Sequence, residues 1–89
     1  MKFGLDFDAT YSADPVLWDH FIVHAKERGH SVCIVTARRD TEENREIVKV
    51  HGCLTVFTEL QSKLRHCAER GLKIDVWIDD DPTALVQGH

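Results

Sequence analysis

The chain has 89 residues, 43% of them hydrophobic and 29% charged, which fits one globular domain over 1–89 and excludes a disordered chain. Eleven Lys and Arg stand against 15 Asp and Glu, and the net charge of −4 disfavours broad coating of nucleic acid or capture by an anionic membrane. No stretch approaches the ~18 apolar residues of a membrane span, and charge enters at Lys2 and Asp6, too early for a signal peptide, so the expected location is cytoplasmic.

Apolar, β-favouring runs alternate with helical patterns along the chain, the signature of a parallel sheet with crossover helices. The first strand is predicted over 2–7. Asp14 then caps a helix that has Pro15 at its first position and Leu17, Phe21 and Ala25 on one face, and Gly29 ends it. A short apolar strand over 31–36 leads to a helix over 41–51, with Glu42 and Glu43 in its first turn and Gly52 as its stop. The third strand is predicted over 54–57. Residues 58–61 fit a capping box opening a helix whose inner face is Leu60, Leu64, Cys67 and Ala68, with Ser62 as a competing cap. After Gly71 comes a strand over 74–78, and Asp81 then caps a final short helix beginning at Pro82. The three cysteines, Cys33, Cys53 and Cys67, lie within apolar-periodic segments and read as reduced, packed thiols. His51/Cys53 and His66/Cys67 lack the ligand spacing of a zinc site.

Polar residues gather at the carboxyl ends of the predicted strands, where ligands bind in open parallel sheets. Strand one ends in Asp6-Phe7-Asp8-Ala9-Thr10, strand two in Thr36 followed by Ala37, Arg38 and Arg39, and strand four in Asp79-Asp80-Asp81. Two carboxylates about 4 Å apart repel by roughly 4 kcal/mol at an effective dielectric near 20, so several on one rim call for a cation. All-oxygen ligands favour a hard ion, and a site that also receives a phosphate suits Mg²⁺. Lys63, at the start of its helix, adds a second positive charge. Each residue alone has a plain structural use: Asp6 and Asp8 as turn residues, Asp81 as a cap, Thr36 as a strand-end hydroxyl, Lys63 as a solvated charge. Their joint placement makes them a candidate site.

These residues, Asp6-Phe7-Asp8-Ala9-Thr10 after an apolar strand, Val35-Thr36, Lys63 and Ile78-Asp79-Asp80, resemble the four motifs of the haloacid dehalogenase superfamily of phosphatases in order and strand-end position. The resemblance implies a three-layer Rossmann-like α/β fold with a four-stranded parallel sheet in spatial order 3-2-1-4. It implies Asp6 as nucleophile and Asp8 as general acid and base, with Thr36, Ala37, Arg38 and Lys63 around the phosphoryl group. Metal binding would fall to Asp6, Asp8 through its backbone carbonyl, Asp79, and Asp80 through water, with Mg²⁺ as cofactor. Only Ala9 to Asp14 separate the first motif from the first helix, and the segment 52–62 is also short, so the resemblance is to a member without a cap domain.

An open site excludes water poorly, so a large substrate, a second copy of the chain or a partner protein is expected to cover it. The run Thr36-Ala37-Arg38-Arg39 points toward a nucleotide or a polynucleotide end as the phosphorylated substrate. Tyr11, just past the first motif, is a candidate for touching substrate, whereas Trp18 and Trp77 read as packing residues. Two other classes use similar residues. A phospho-acceptor domain of the response-regulator kind needs its acceptor aspartate on a middle strand, but strand three ends in Phe57-Thr58 without a carboxylate. A catalytically weak module that binds phosphate and Mg²⁺ and needs a partner shares every motif, and motif completeness does not separate it from an enzyme.

Overall fold

The computed structural model describes residues 1–87. Strands and helices alternate as β1 (Lys2–Leu5), α1 (Pro15–Glu27), β2 (Ser31–Thr36), α2 (Glu42–Ile47), β3 (Leu54–Phe57), α3 (Lys63–Glu69), β4 (Val76–Ile78) and α4 (Thr83–Val86), with a 3-10 turn at Tyr11–Ala13. The fold is α/β. Its sheet is parallel, in the expected order β3-β2-β1-β4. Among the described residues, no helix is long and apolar enough to cross a membrane.

Strand alternation sends successive side chains to opposite faces, and each face has its own cover. Leu5, Val32 and Ile34 pack with Ile22 and Ala25 of α1 and with Val48 and Val50 beyond α2. Cys33 and Val35 face the other way, onto Cys67 of α3, with Val56, Leu72, Ile74 and Trp77 around them. Gly4 lets that second layer approach β1, because a Cβ there would stand 3.0 Å from Ile74 and 3.1 Å from Trp77. All three cysteines are free, with Cys33 and Cys67 buried.

Local signals placed α1 correctly at its start: the Asp14 carboxylate accepts from Leu17 N–H at 3.2 Å and Pro15 opens the helix. Its buried face differs from the predicted one. Ile22 and Ala25 are buried and Phe21 packs edge-on against Phe3 at 5.1 Å, while Leu17 is 55% exposed. The inward stripe is Trp18-Phe21-Ile22-Ala25, a spacing of three and four that excludes Leu17 once Trp18 meets Phe21.

The second helix stops at Ile47, short of the predicted His51. Val48 and Val50 are both buried, and a helix would turn residues two apart about 200° from one another. Leaving the helix at Val48 (φ −95°, ψ 52°) lets both face the core.

The third helix begins at Lys63, capped by Ser62, whose hydroxyl accepts from Arg65 N–H at 3.3 Å. The competing cap therefore prevails over the box at 58–61, which forms a tight loop with Glu59 (φ 54°) and Leu60 (φ 69°) in the left-handed region. The face toward the sheet is Lys63, His66 and Cys67, with Leu60, Leu64 and Ala68 exposed. The helix docks by its amino end on the strand rim, where Lys63 donates to Asp6 and Asp79.

The edge strand β4 is shorter than predicted, though Asp75 just before it is tied to β1: its N–H donates to Lys2 O at 2.8 Å and its carboxylate accepts from Lys2 N–H at 2.7 Å. Strand β1 ends at Leu5 rather than at Phe7. The last helix begins at Thr83, with Pro82 rather than Asp81 at the cap position, and the Asp81 carboxylate accepts from Thr83 N–H at 3.1 Å from one residue further out.

Candidate functional site

Strand register brings the site residues together. Leu5 pairs with both Ile34 and Ile78, and Thr36 pairs with Phe57, so the chain leaves the four strands at Asp6, Ala37, Thr58 and Asp79 on one rim. Pairing runs one step further: Asp6 N–H donates to Ile78 O at 2.9 Å and Thr58 N–H to Thr36 O at 2.8 Å. Asp6 is 6% exposed. One carboxylate oxygen from each of Asp6, Asp79 and Asp80 lies within 4.8 Å of the others.

Lys63 joins this group from α3. Its ammonium, 2% exposed, donates to Asp6 Oδ1 at 2.6 Å and to Asp79 Oδ2 at 2.6 Å. Burial pulls its pKa down, but the hydrogen bonds to Asp6 and Asp79 outweigh that and raise it, so the charge is held. Two of its three N–H donors are used in these bonds. The loop before α3 sets this reach: Leu60 N–H donates to Ala37 O at 2.8 Å and Glu59 N–H to Arg38 O at 3.3 Å, offsetting the left-handed backbone at both residues.

Thr10 is a site residue that the sequence reading left without a role. Its hydroxyl lies 3.1 Å from Asp6 Oδ2 and 3.1 Å from Asp80 Oδ1, and accepts from Asp80 N–H at 3.2 Å. With one proton it donates to one carboxylate at a time. The signal was present in the motif itself, because a hydroxyl four residues after a buried strand-end carboxylate needs a partner once the turn folds back.

Burial pushes the Asp6 carboxyl up to about 6, against the Lys63 hydrogen bond that lowers it, and its contact with Asp80 raises it further. Asp80, which is exposed, is held below the usual carboxylate range mainly by the hydrogen bond from Asp6. Three carboxylates thus meet one ammonium at a rim open to solvent on the Asp80 side. The donor set is all oxygen, is acidic in excess of Lys63, and fits a small hard cation.

Asp8 lies outside that group of three. Its carboxylate is forked onto Arg38, accepting from Nε at 3.0 Å and from Nη2 at 2.8 Å. Arg38 also donates from Nη1 to Asn44 Oδ1 at 3.0 Å and lies 5.7 Å from the centre of the Phe7 ring. Asn44 is itself fixed, donating from Nδ2 to Arg39 O at 2.9 Å and from its N–H to the Thr41 cap at 3.1 Å. Sequence reasoning missed Asn44.

The remaining predicted residues divide between rim and scaffold. Thr36 is fully buried, and its hydroxyl accepts from Arg38 N–H at 3.3 Å. Ala37 is half-buried beside it and Arg39 is exposed. Tyr11 is committed to the fold, stacked on Phe7 at 5.7 Å and donating to Asp19 Oδ1 at 2.7 Å, and burial together with Asp19 pushes its hydroxyl up to about 12. Among the described residues, the Thr58 hydroxyl is the one buried side-chain polar atom without a hydrogen-bond partner. A concavity of about 350 Å³ lined by Leu17, Trp18 and Ile78 among others runs up to Thr10, Asp79 and Asp80. No family model, no curated protein and no solved structure matches the chain.

Proposed function

We propose that the chain is a Mg²⁺-dependent phosphatase of the haloacid dehalogenase type, hydrolysing phosphomonoesters through an aspartyl-phosphate at Asp6. The observation that carries this reading is the convergence of Asp6, Asp79, Asp80 and a buried, charged Lys63 on one strand rim. Asp6, Asp79 and Asp80 would hold the cation, with the backbone carbonyl of Asp8 as a further oxygen by resemblance. Bound there, Mg²⁺ supplies positive charge that offsets the crowded carboxylates and the incoming phosphate.

Asp6 attacks phosphorus through a carboxylate oxygen, and the ester oxygen leaves. With its pKa near 6, Asp6 is largely anionic at neutral pH, and Lys63 holds it in place through Oδ1. The remaining N–H of Lys63 is available to a phosphoryl oxygen. Asp8 delivers a proton to the leaving oxygen, then takes one from the water that cleaves the acyl phosphate and restores Asp6. Arg38 gives the site a guanidinium for an anionic substrate, which favours a nucleotide or a polynucleotide end.

The decisive experiment is hydrolysis of an aryl phosphate by the chain and by Asp6→Asn, each with Mg²⁺ and with EDTA. Metal-dependent turnover that falls at least a thousandfold in the variant is expected, because an amide is a far poorer nucleophile at unchanged volume. Equal turnover in the two proteins would overturn the reading.

A further inference from the structure

The Arg38–Asp8 fork sets two parts of the proposed reaction against each other. Asp8 needs a free carboxyl oxygen to exchange a proton with substrate, and Arg38 needs its planar pair of N–H groups to bind an anion. In the structure the two forks face each other: Nε and Nη2 of Arg38 point at Oδ2 and Oδ1 of Asp8, at 3.0 and 2.8 Å. The guanidinium is not adrift on the surface. Nη1 is held by Asn44 at 3.0 Å, its plane lies near the Phe7 ring, and Arg38 N–H is held by Thr36. The Asp8 side chain is the freer member, 53% exposed against 30% for Arg38.

We propose that Arg38 is a substrate-displaceable latch on Asp8: an anionic oxygen pair of the substrate takes the place of the Asp8 carboxylate on the Arg38 fork and releases Asp8 for proton transfer. The inference rests on the phosphatase reading and adds to it a competition between substrate and the chain's own carboxylate. A tetrahedral phosphate offers two oxygens to a guanidinium much as a carboxylate does, so the exchange replaces one two-bond contact by another. Arg38 keeps its Asn44 and Phe7 contacts while Asp8 rotates. A substrate without a second oxygen facing Arg38 would leave the latch shut, so the device favours phosphate groups presented with two free oxygens.

Binding of inorganic phosphate in the presence of Mg²⁺, measured by calorimetry on the wild type, Asp8→Asn, Arg38→Ala and the double variant, tests it. With the competing carboxylate neutralised, Asp8→Asn is expected to bind phosphate about three- to tenfold more tightly, and that gain is expected to vanish in the Arg38→Ala background. The Arg38 Nε–H resonance of the wild type is expected to shift as phosphate is added. An equal gain with and without Arg38 would mean that removing a negative charge, rather than opening a latch, tightened binding, and would overturn the proposal while leaving the phosphatase reading intact. Failure of the wild type and of Asp8→Asn to bind phosphate would overturn the latch, and the turnover comparison with Asp6→Asn decides the phosphatase reading separately.

Discussion

Asp6 sits where three demands meet: it is buried, it is beside Asp80, and it receives a hydrogen bond from Lys63. Burial dominates, so its folded pKa of about 6 lies above the 3.8 of a free aspartate side chain. A carboxyl whose pKa rises on folding binds its proton more tightly in the folded chain, so between those values stability falls as pH rises. At about 1.4 kcal/mol per pKa unit this amounts to roughly 3 kcal/mol at most. Asp6→Asn lacks that titration. Denaturant unfolding without divalent ions should therefore show the wild type losing ground to Asp6→Asn from pH 4 to pH 6 and holding a constant difference above pH 7. A constant difference throughout would mean that Asp6 folds with an unshifted pKa. Sequence made Asp6 legible as a strand-end carboxylate, but not its pKa, because that depends on burial in the folded rim and on a bond from Lys63, 57 positions away in the chain.

The connection from β3 to α3 shows what an element requires in order to place one side chain. Two left-handed residues, Glu59 and Leu60, turn the chain so that Ser62 caps α3 and Lys63 enters the rim at its first turn. Thr58 begins that turn with its hydroxyl buried and unpartnered. Such a group forfeits its hydration, at a cost of about 1–3 kcal/mol. Thr58→Val keeps the shape and removes the hydroxyl, so the variant is expected to be more stable by about 1 kcal/mol in denaturant titration. A loss of stability would show instead that the hydroxyl holds an internal water. The capping box expected over 58–61 was a sound local signal, outweighed by the rim bonds that α3 gains when it starts at Lys63 with Ser62 as its cap. Likewise α2 ended early because two buried valines two positions apart suit extended chain rather than helix.

For the whole molecule, the proposed cation site on the acidic rim would couple folding to cation binding. A ligand that binds only the folded chain at about 100 times its Kd stabilises it by about 2.7 kcal/mol. In a domain of this size each kcal/mol moves Tm by about 4–8 °C. Mg²⁺ should thus raise Tm by about 10 °C or more at saturation, EDTA should reverse the rise, and Asp79→Asn should remove most of it. A Tm indifferent to Mg²⁺ in a scanning calorimeter would show that Lys63 alone balances the rim.

Sequence alone determined the alternation of strands and helices, the Asp14 cap, and the presence of carboxylates at strand ends, because periodicity, capping and turn chemistry are local, whereas the choice of Ser62 over the box at 58–61 was made by the rim. It carried the strand order 3-2-1-4 only through a resemblance of motifs. Tertiary structure decided which face each helix buries, since that depends on how the helix rotates against its neighbours. It also decided the pairings that give the site its chemistry: Lys63 with Asp6 across 57 residues, Thr10 with Asp80 across 70, and Arg38 with Asp8 across 30. Those depend on where loops from different strands come to rest, and no local pattern encodes them.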